Sequence, residues 1–249
     1  KRQSMNCLAC NHDALIQHSP LYARCDNCGL IKALTPPTYD LNKYAEFYGN
    51  LFDTDLEKRI NFNRLATVMR HLPLGSRILD YGCACGNFLA RAEDYYECMG
   101  YEPSTTSAAR KTCRCPVSSD GRFAFLGCGD PETFDMVTMF DVFEHFRNPQ
   151  ETFGIVIDRM IKPGGHVLIN TPNPEYVSDP ERWYHFKPGE HTYFWTPQAL
   201  LYFMNRCGYS VVEHGYSECL LRKNDTTIKS LLTMVFKKPM VGAIDVPIN

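Results

Sequence analysis

Apolar and polar positions along this chain follow two rhythms. Leu56, Ile60, Leu65, Val68 and Leu72 recur at roughly helical spacing, so LEKRINFNRLATVMRHL predicts a helix. From Gly75 onward, short unbroken apolar runs take turns with helical patterns. RILDY, ECMGYE, FDMVTMFD and HVLINT read as buried strands. NFLARAEDYY, the SAARK segment after Pro103 and the stretch from Pro149 to Ile161 supply helices between them, with Lys162-Pro-Gly-Gly165 stopping the last. Thr196-Pro-Gln caps a further helix through about Cys207. SVVEHG and the region Leu231 to Phe236 read as late strands, and Phe123 to Leu126 as a short one. Residues 172–195 form a loop-rich insertion. This alternation predicts an α/β fold, a parallel sheet with helices on both faces.

Residues 1–34 break the rhythm. They are too small a segment to fold well alone on their apolar residues, and they hold Cys7-x-x-Cys10 and Cys25-x-x-Cys28-Gly29. Each pair can present two thiolates from one tight turn, and two such turns close a tetrahedral site. Cys7, Cys10, Cys25 and Cys28 therefore predict a structural Zn2+, which would supply the stability that so small a core lacks. A disulfide framework for the 12 cysteines would suit a short secreted chain, which 249 residues is not. Pro36-Pro37 leads into a bridge, residues 35–72, whose first half carries Tyr39, Tyr44, Phe47 and Tyr48.

Composition then removes function classes. A chain that is 44% hydrophobic and 22% charged is an ordinary globular one. A net charge of -2 leaves no overall electrostatic footprint for nucleic acid. No apolar run reaches the roughly 18 residues that a membrane span needs. KRQSMNCLAC lacks the apolar centre of a signal peptide, so a cytoplasmic location is expected.

Chemistry concentrates in ILDYGCACGNFL, residues 78–89. A strand ending in Asp80 and turning through Gly82, Ala84 and Gly86 puts bare backbone at the sheet's carboxyl edge, where open α/β folds bind ligands. The spacing D-x-G-x-A-x-G differs from G-x-G-x-x-G, so a dinucleotide is the poorer match. Glu102, at the end of the second strand, is placed to accept both hydroxyl hydrogens of a ribose.

LDYGCACG, GYEPS, FDMVTMFDVFEHFRNP and IKPGGHVLINTPNPE, in this order, resemble the class I S-adenosylmethionine-dependent methyltransferases over residues 40–240. The resemblance implies a Rossmann-like sheet and S-adenosylmethionine as methyl donor. It implies Asp80, Gly82 and Gly86 around the methionine part, with Cys83 and Ala84 in the same loop. Glu102 would hold the ribose, and Phe140, Asp141 and Val142 would line the site. Ala84 departs from the family, which usually has glycine there. The CxxC…CxxCG head, the Tyr-rich bridge and GEHTYFWTPQALLYFMNRCGY also resemble the zinc-ribbon methyltransferases of sugar and antibiotic biosynthesis, the sugar C-methyltransferases among them. That implies a zinc ribbon at 1–34, a helical bridge or lid at 35–72 and a methyltransferase domain at 73–249. The acceptor would be a small molecule: a sugar, a nucleotide-linked sugar or a natural-product intermediate.

Methyl transfer to a hydroxyl or an acidic carbon needs a base. His145 in FEHF and His191 in GEHTYF are the candidates, each preceded by a carboxylate, Glu144 or Glu190, that could orient it or bind substrate. His185 in RWYHF is a third. Asp141-x-x-Glu144-His145 with His191 also resembles the magnesium site of RNA 2′-O-methyltransferases. Tyr44 and Tyr48 could fold over the cofactor, where an aromatic face favours the sulfonium charge. Two rival functions stay open. One is an RNA methyltransferase gripping RNA with the ribbon, which offers only Lys1, Arg2, Arg24 and Lys32. The other is a non-catalytic binding protein on a degenerate methyltransferase fold.

Overall fold

Four short strands open the chain: β1 (Ser4–Asn6), β2 (Asp13–Gln17), β3 (Tyr22–Cys25) and β4 (Ile31–Ala33). They pair antiparallel in chain order, so the two CxxC turns fall at neighbouring hairpin ends. The computed structural model describes residues 4–36, 38, 54–104, 112–119, 133–215 and 217–224. Tyr39, Tyr44, Phe47 and Tyr48, the SAARK helix and the strands expected near residues 123–126 and 231–236 lie outside the described residues.

The Asp55–His71 helix is written into its termini. Thr54 accepts a hydrogen bond from the Glu57 amide at 3.2 Å, in the Thr-x-x-Glu spacing of a capping box. Asp55 and Glu57 sit at its positive end, and Arg70 and His71 at its negative end. Asn61, Leu65 and Val68 form its buried face.

Seven later strands build the main sheet. They are β5 (Arg77–Tyr81), β6 (Glu97–Tyr101), β7 (Val117–Ser118), β8 (Phe134–Phe140) and β9 (Ile161–Asn170), then β11 (Tyr209–His214) and β12 (Glu218–Lys223). Their order is β11-β12-β9-β8-β5-β6-β7. β5 to β9 run parallel, and β12 lies antiparallel to both β9 and β11. β5 and β8 are buried almost along their lengths, which is why they read as unbroken apolar runs. The chain leaves β5 towards β6 on one side and returns through β8 on the other. This reversal opens a crevice at their carboxyl ends. The mixed α/β architecture, with its parallel centre, is the one the strand–helix alternation predicts.

Three elements differ from the sequence reading. The helix expected over NFLARAEDYY is a single turn, Leu89–Ala92. The helix begun at Pro149 runs through a π-helical centre, Thr152–Ile157, to Asp158–Met160. Lys162-Pro-Gly-Gly165 does not form a separate stop: β9 begins at Ile161, and these residues are its irregular opening. Gly164 takes φ 73°, and the ladder with β8 slips between Phe134 and Met136 to absorb the extra residues.

The insertion contributes β10 (Tyr193–Phe194), which joins the N-terminal sheet rather than the main one. Tyr193 pairs with Lys32, and Phe194 with Ile31. One continuous core follows. Cys7, Cys10, Cys25 and Cys28 belong to the same buried cluster as Val137, Val167 and Trp195. Trp195 lies 4.9 Å from Phe143 and 5.3 Å from Phe203, ring centre to ring centre, and each such pair adds about 0.5–1.5 kcal/mol beyond its buried area. Among the described residues, no helix is long and apolar enough to cross a membrane.

Candidate active site

A cavity of about 310 Å³ lies at the carboxyl ends of β5 and β8. One side is built by the turn after β5, the end of β6 and the Asp55–His71 helix. The other is built by the turn after β8 and the insertion.

The first side is backbone-rich because the turn is left-handed. Gly82, Ala84 and Gly86 take φ of 83°, 46° and 79°. Any side chain at Gly82 would drive into Val142, so only glycine fits there. Gly82, Cys83 and Ala84 line the cavity, whereas Gly86 shapes the turn without lining the wall. Glu102 is buried and closes the floor. Its Oε2 accepts from the Ala84 amide at 2.9 Å, and its Oε1 accepts from the Ser104 amide at 2.8 Å and the Ser104 hydroxyl at 2.5 Å. Asp80, only 2% exposed, takes a hydrogen bond from the Thr138 hydroxyl at 2.7 Å, and burial nevertheless pushes its carboxyl up to about 7. Cys83 and Cys85 are buried thiols held up in pKa by desolvation, small fillers rather than nucleophiles.

Phe140, Asp141 and Val142 all line the cavity. Asp141, at φ 57°, turns its carboxylate to Arg64, 3.0 Å away. The Arg64 guanidinium also lies 4.2 Å from the centre of the Phe140 ring. Arg64 is the residue the sequence reading missed. Its signal was a cation within the stripe Asn61, Leu65, Val68, on the face the helix buries. Tyr44 lies outside the described residues.

On the second side, His145 is buried and lines the cavity. His145 Nδ1 meets the Glu190 carbonyl oxygen at 3.0 Å, and His191 Nδ1 meets the His185 carbonyl oxygen at 2.9 Å. A carbonyl can only accept, so both Nδ1 atoms carry the proton and both Nε2 atoms carry the ring lone pair. The two rings meet edge to face at 4.6 Å. Burial lowers His145 to about 4 and His191 to about 3, so both are neutral near pH 7. Glu144 is pushed up to about 8 by burial, and its carboxyl accepts from the Thr171 hydroxyl at 2.8 Å. Glu190 holds His145 through its backbone, while its carboxylate lies 3.9 Å from Lys187. The structure thus brings Glu144, His145 and His191 together, with one ligating atom of each within 4.8 Å of the others. Asp141 is not one of this group.

The four N-terminal cysteines also converge. Their sulfurs lie within 4.8 Å of one another, with Cys7–Cys28 and Cys10–Cys25 each at 3.6 Å. Tetrahedral thiolates about 2.3 Å from a Zn2+ stand about 3.8 Å apart, so the donor set and its spacing fit that ion.

A family described as a methyltransferase domain matches residues 52–214. A ubiquinone biosynthesis O-methyltransferase of Photobacterium profundum is 27% identical over 163 residues, 58% of this chain and 66% of that protein. The chain spans between 38% and 66% of the length of the curated relatives it matches. The Burkholderia thailandensis 1,6-didemethyltoxoflavin-N1-methyltransferase, solved with bound 1,6-didemethyltoxoflavin and S-adenosylhomocysteine, superposes with a TM-score of 0.54 at 16% identity. That match covers 79% of this chain and 96% of that one. The [4+2]-cyclase SpnF superposes with a TM-score of 0.57 at 15% identity, over 78% and 98%. At these identities the two structures speak for the fold alone.

Proposed function

The chain belongs to the methyltransferase-domain family, and from that premise we propose that it transfers a methyl group from S-adenosylmethionine to a small-molecule acceptor. The observation that carries this reading is the shared cavity. A bare-backbone turn with an acid and an arginine forms one wall, and two neutral histidines with a carboxyl form the facing wall. Bound there, S-adenosylmethionine supplies a methyl group activated by the sulfonium. Glu102 accepts the two ribose hydroxyls, and the backbone of Gly82 and Ala84 lets the ligand approach, with Gly86 shaping their turn. Arg64 offers a cation to the carboxylate of the methionine part, while Asp80, Cys83, Phe140, Asp141 and Val142 complete the pocket. Tyr44 belongs to the same reading as an aromatic cover. Zn2+ at Cys7, Cys10, Cys25 and Cys28 is its structural metal.

The acceptor we favour is sugar-like, a nucleotide-linked sugar or natural-product intermediate. The insertion that forms its wall presents Tyr184, His185, Lys187 and Glu190 to the cavity. Oxygen is the competing acceptor class, as in the O-methyltransferase relatives. His145 or His191 takes up the acceptor proton at Nε2. A second mechanism is supported by one observation, the convergence of Glu144, His145 and His191 on a common point. Histidines that donate Nδ1–H to a carbonyl are oriented as metal ligands usually are, so a divalent cation held there would acidify the acceptor instead. The RNA alternative draws no support from Arg24, whose guanidinium faces the Val177 carbonyl at 3.5 Å.

Calorimetric titration of S-adenosylmethionine and S-adenosylhomocysteine into the full chain tests the proposal. Both are expected to bind, and Glu102→Ala to weaken binding by about 100-fold, the loss of two charge-assisted hydrogen bonds. Failure of the folded chain to bind either ligand would sink the enzyme reading and leave a binding protein on this fold. Turnover of nucleotide sugars by zinc-loaded protein, titrated with Mg2+, then separates base from cation, since only the cation mechanism is stimulated.

A further inference from the structure

The segment that carries His191 is also the fifth strand of the cysteine sheet. The Ala33 amide at the end of β4 donates to the Thr192 carbonyl at 3.0 Å. The Thr192 amide donates onward to the Glu144 carbonyl at 2.8 Å. Thr192 is therefore a single-residue seam between the cysteine sheet and the Phe143–His145 turn, and its immediate neighbour is His191. Further ties hold the same segment. The Thr38 amide donates to the Gly189 carbonyl at 2.9 Å, and the Thr196 hydroxyl donates to the Cys28 carbonyl at 2.5 Å. Gly29, at φ 75°, would bring any side chain within 2.9 Å of Thr196, so the second CxxC turn rests directly on this strand. Phe194, fully buried, packs on Ile31 and Ala33. The other wall takes its hydrogen-bonded frame from different elements, although it shares the buried core. Gly82, Glu102 and Arg64 are held by β5, β6 and the Asp55–His71 helix, which belong to the main sheet and its cover.

We propose that the four-cysteine sheet is the template for the acceptor wall. Ala33 and Thr192 act as positioning residues for His191 and His145, so metal occupancy at the cysteines sets the second half of the site and leaves the first untouched. The proposal rests on the reading of the cysteines as a Zn2+ site and of the histidine wall as the acceptor side. Its physical basis is that a β-ladder fixes register and orientation only while both strands are ordered. A four-cysteine hairpin pair of so few residues depends on its metal to stay ordered.

The test compares zinc-loaded full chain with the same protein stripped by a chelator and then reloaded with Zn2+. Three readouts are needed: S-adenosylhomocysteine affinity, amide exchange at Ala33 and Thr192, and the nitrogen-15 signature of the His145 and His191 tautomers. Stripping is expected to leave affinity within about threefold, to expose both amides and to erase the fixed Nδ1–H tautomers, with reloading restoring them. Ala33→Pro removes the amide that meets Thr192 while keeping every cysteine. It should loosen the histidine signals with zinc still bound. Unchanged tautomers and exchange in stripped protein would overturn the proposal. So would parallel loss of ligand affinity, which would mean that the two walls are not separable. Failure of zinc-loaded protein to bind S-adenosylhomocysteine would count against the enzyme reading, and the amide and tautomer signals would still judge this one.

Discussion

At Ala84 a methyl group sits on a left-handed backbone, φ 46°, a conformation that costs an ordinary residue about 1 kcal/mol or more. Glycine would remove that strain but gain about 0.4–1 kcal/mol of freedom in the unfolded chain. Ala84→Gly is therefore expected to leave the melting temperature level or slightly raised and ligand affinity intact. A clear fall in either would show that the methyl packs productively. Asp80 makes a prediction with a definite sign. Burial raises its carboxyl from 3.8 to about 7, so the native state holds the proton more tightly than the unfolded chain. Its contribution is complete below about pH 4 and is lost as the pH climbs to 7, at most about 4 kcal/mol. Asp80→Asn should flatten the fall in stability across that window, measured by denaturant melts at pH 4, 6 and 8. An equal slope in both proteins would show that Asp80 ionises freely.

Thr196 shows how one side chain can serve two elements. It is the N-cap of the Pro197–Arg206 helix, accepting from the Ala199 amide at 3.0 Å, and it donates its own proton to Cys28. Thr196→Val keeps the shape and loses both bonds, so a cost of about 2–3 kcal/mol is expected in a thermal melt. Thr196→Ser should recover most of it. The cap was legible because Thr-Pro-Gln is a local signal. So were the buried strands β5, β6 and β8, whose apolar runs reflect burial on both faces. β10 was not legible, since two residues carry no periodicity and its partner strand lies near the other end of the chain. The bulged opening of β9 was hidden by the same Pro-Gly-Gly that usually marks a turn. In the site, the glycine turn and Glu102 could be read from spacing, and the cysteine quartet likewise. Arg64 and the carbonyls that fix the histidine tautomers could not, because backbone partners leave no mark on residue identity.

For the whole molecule, the shared core predicts cooperativity. Cys7, Cys28, Trp195 and Val137 lie in one buried cluster, so the N-terminal sheet and the main sheet should melt in a single transition that zinc raises. Calorimetry resolving two transitions in zinc-loaded protein would contradict this. The closing distances of the two walls also differ in time. Glu102 reaches Ala84 across 18 positions, whereas Thr196 reaches Cys28 across 168. Long-range closures form late. During synthesis at roughly 5–20 residues per second, the first hairpins would emerge on the order of ten seconds or more before the strand that roofs them. For that interval they are an unfinished edge, with four reactive thiols exposed to whatever metal or oxidant is near. With zinc at the cysteines as proposed, the order of the chain would let its capture precede assembly of the last wall.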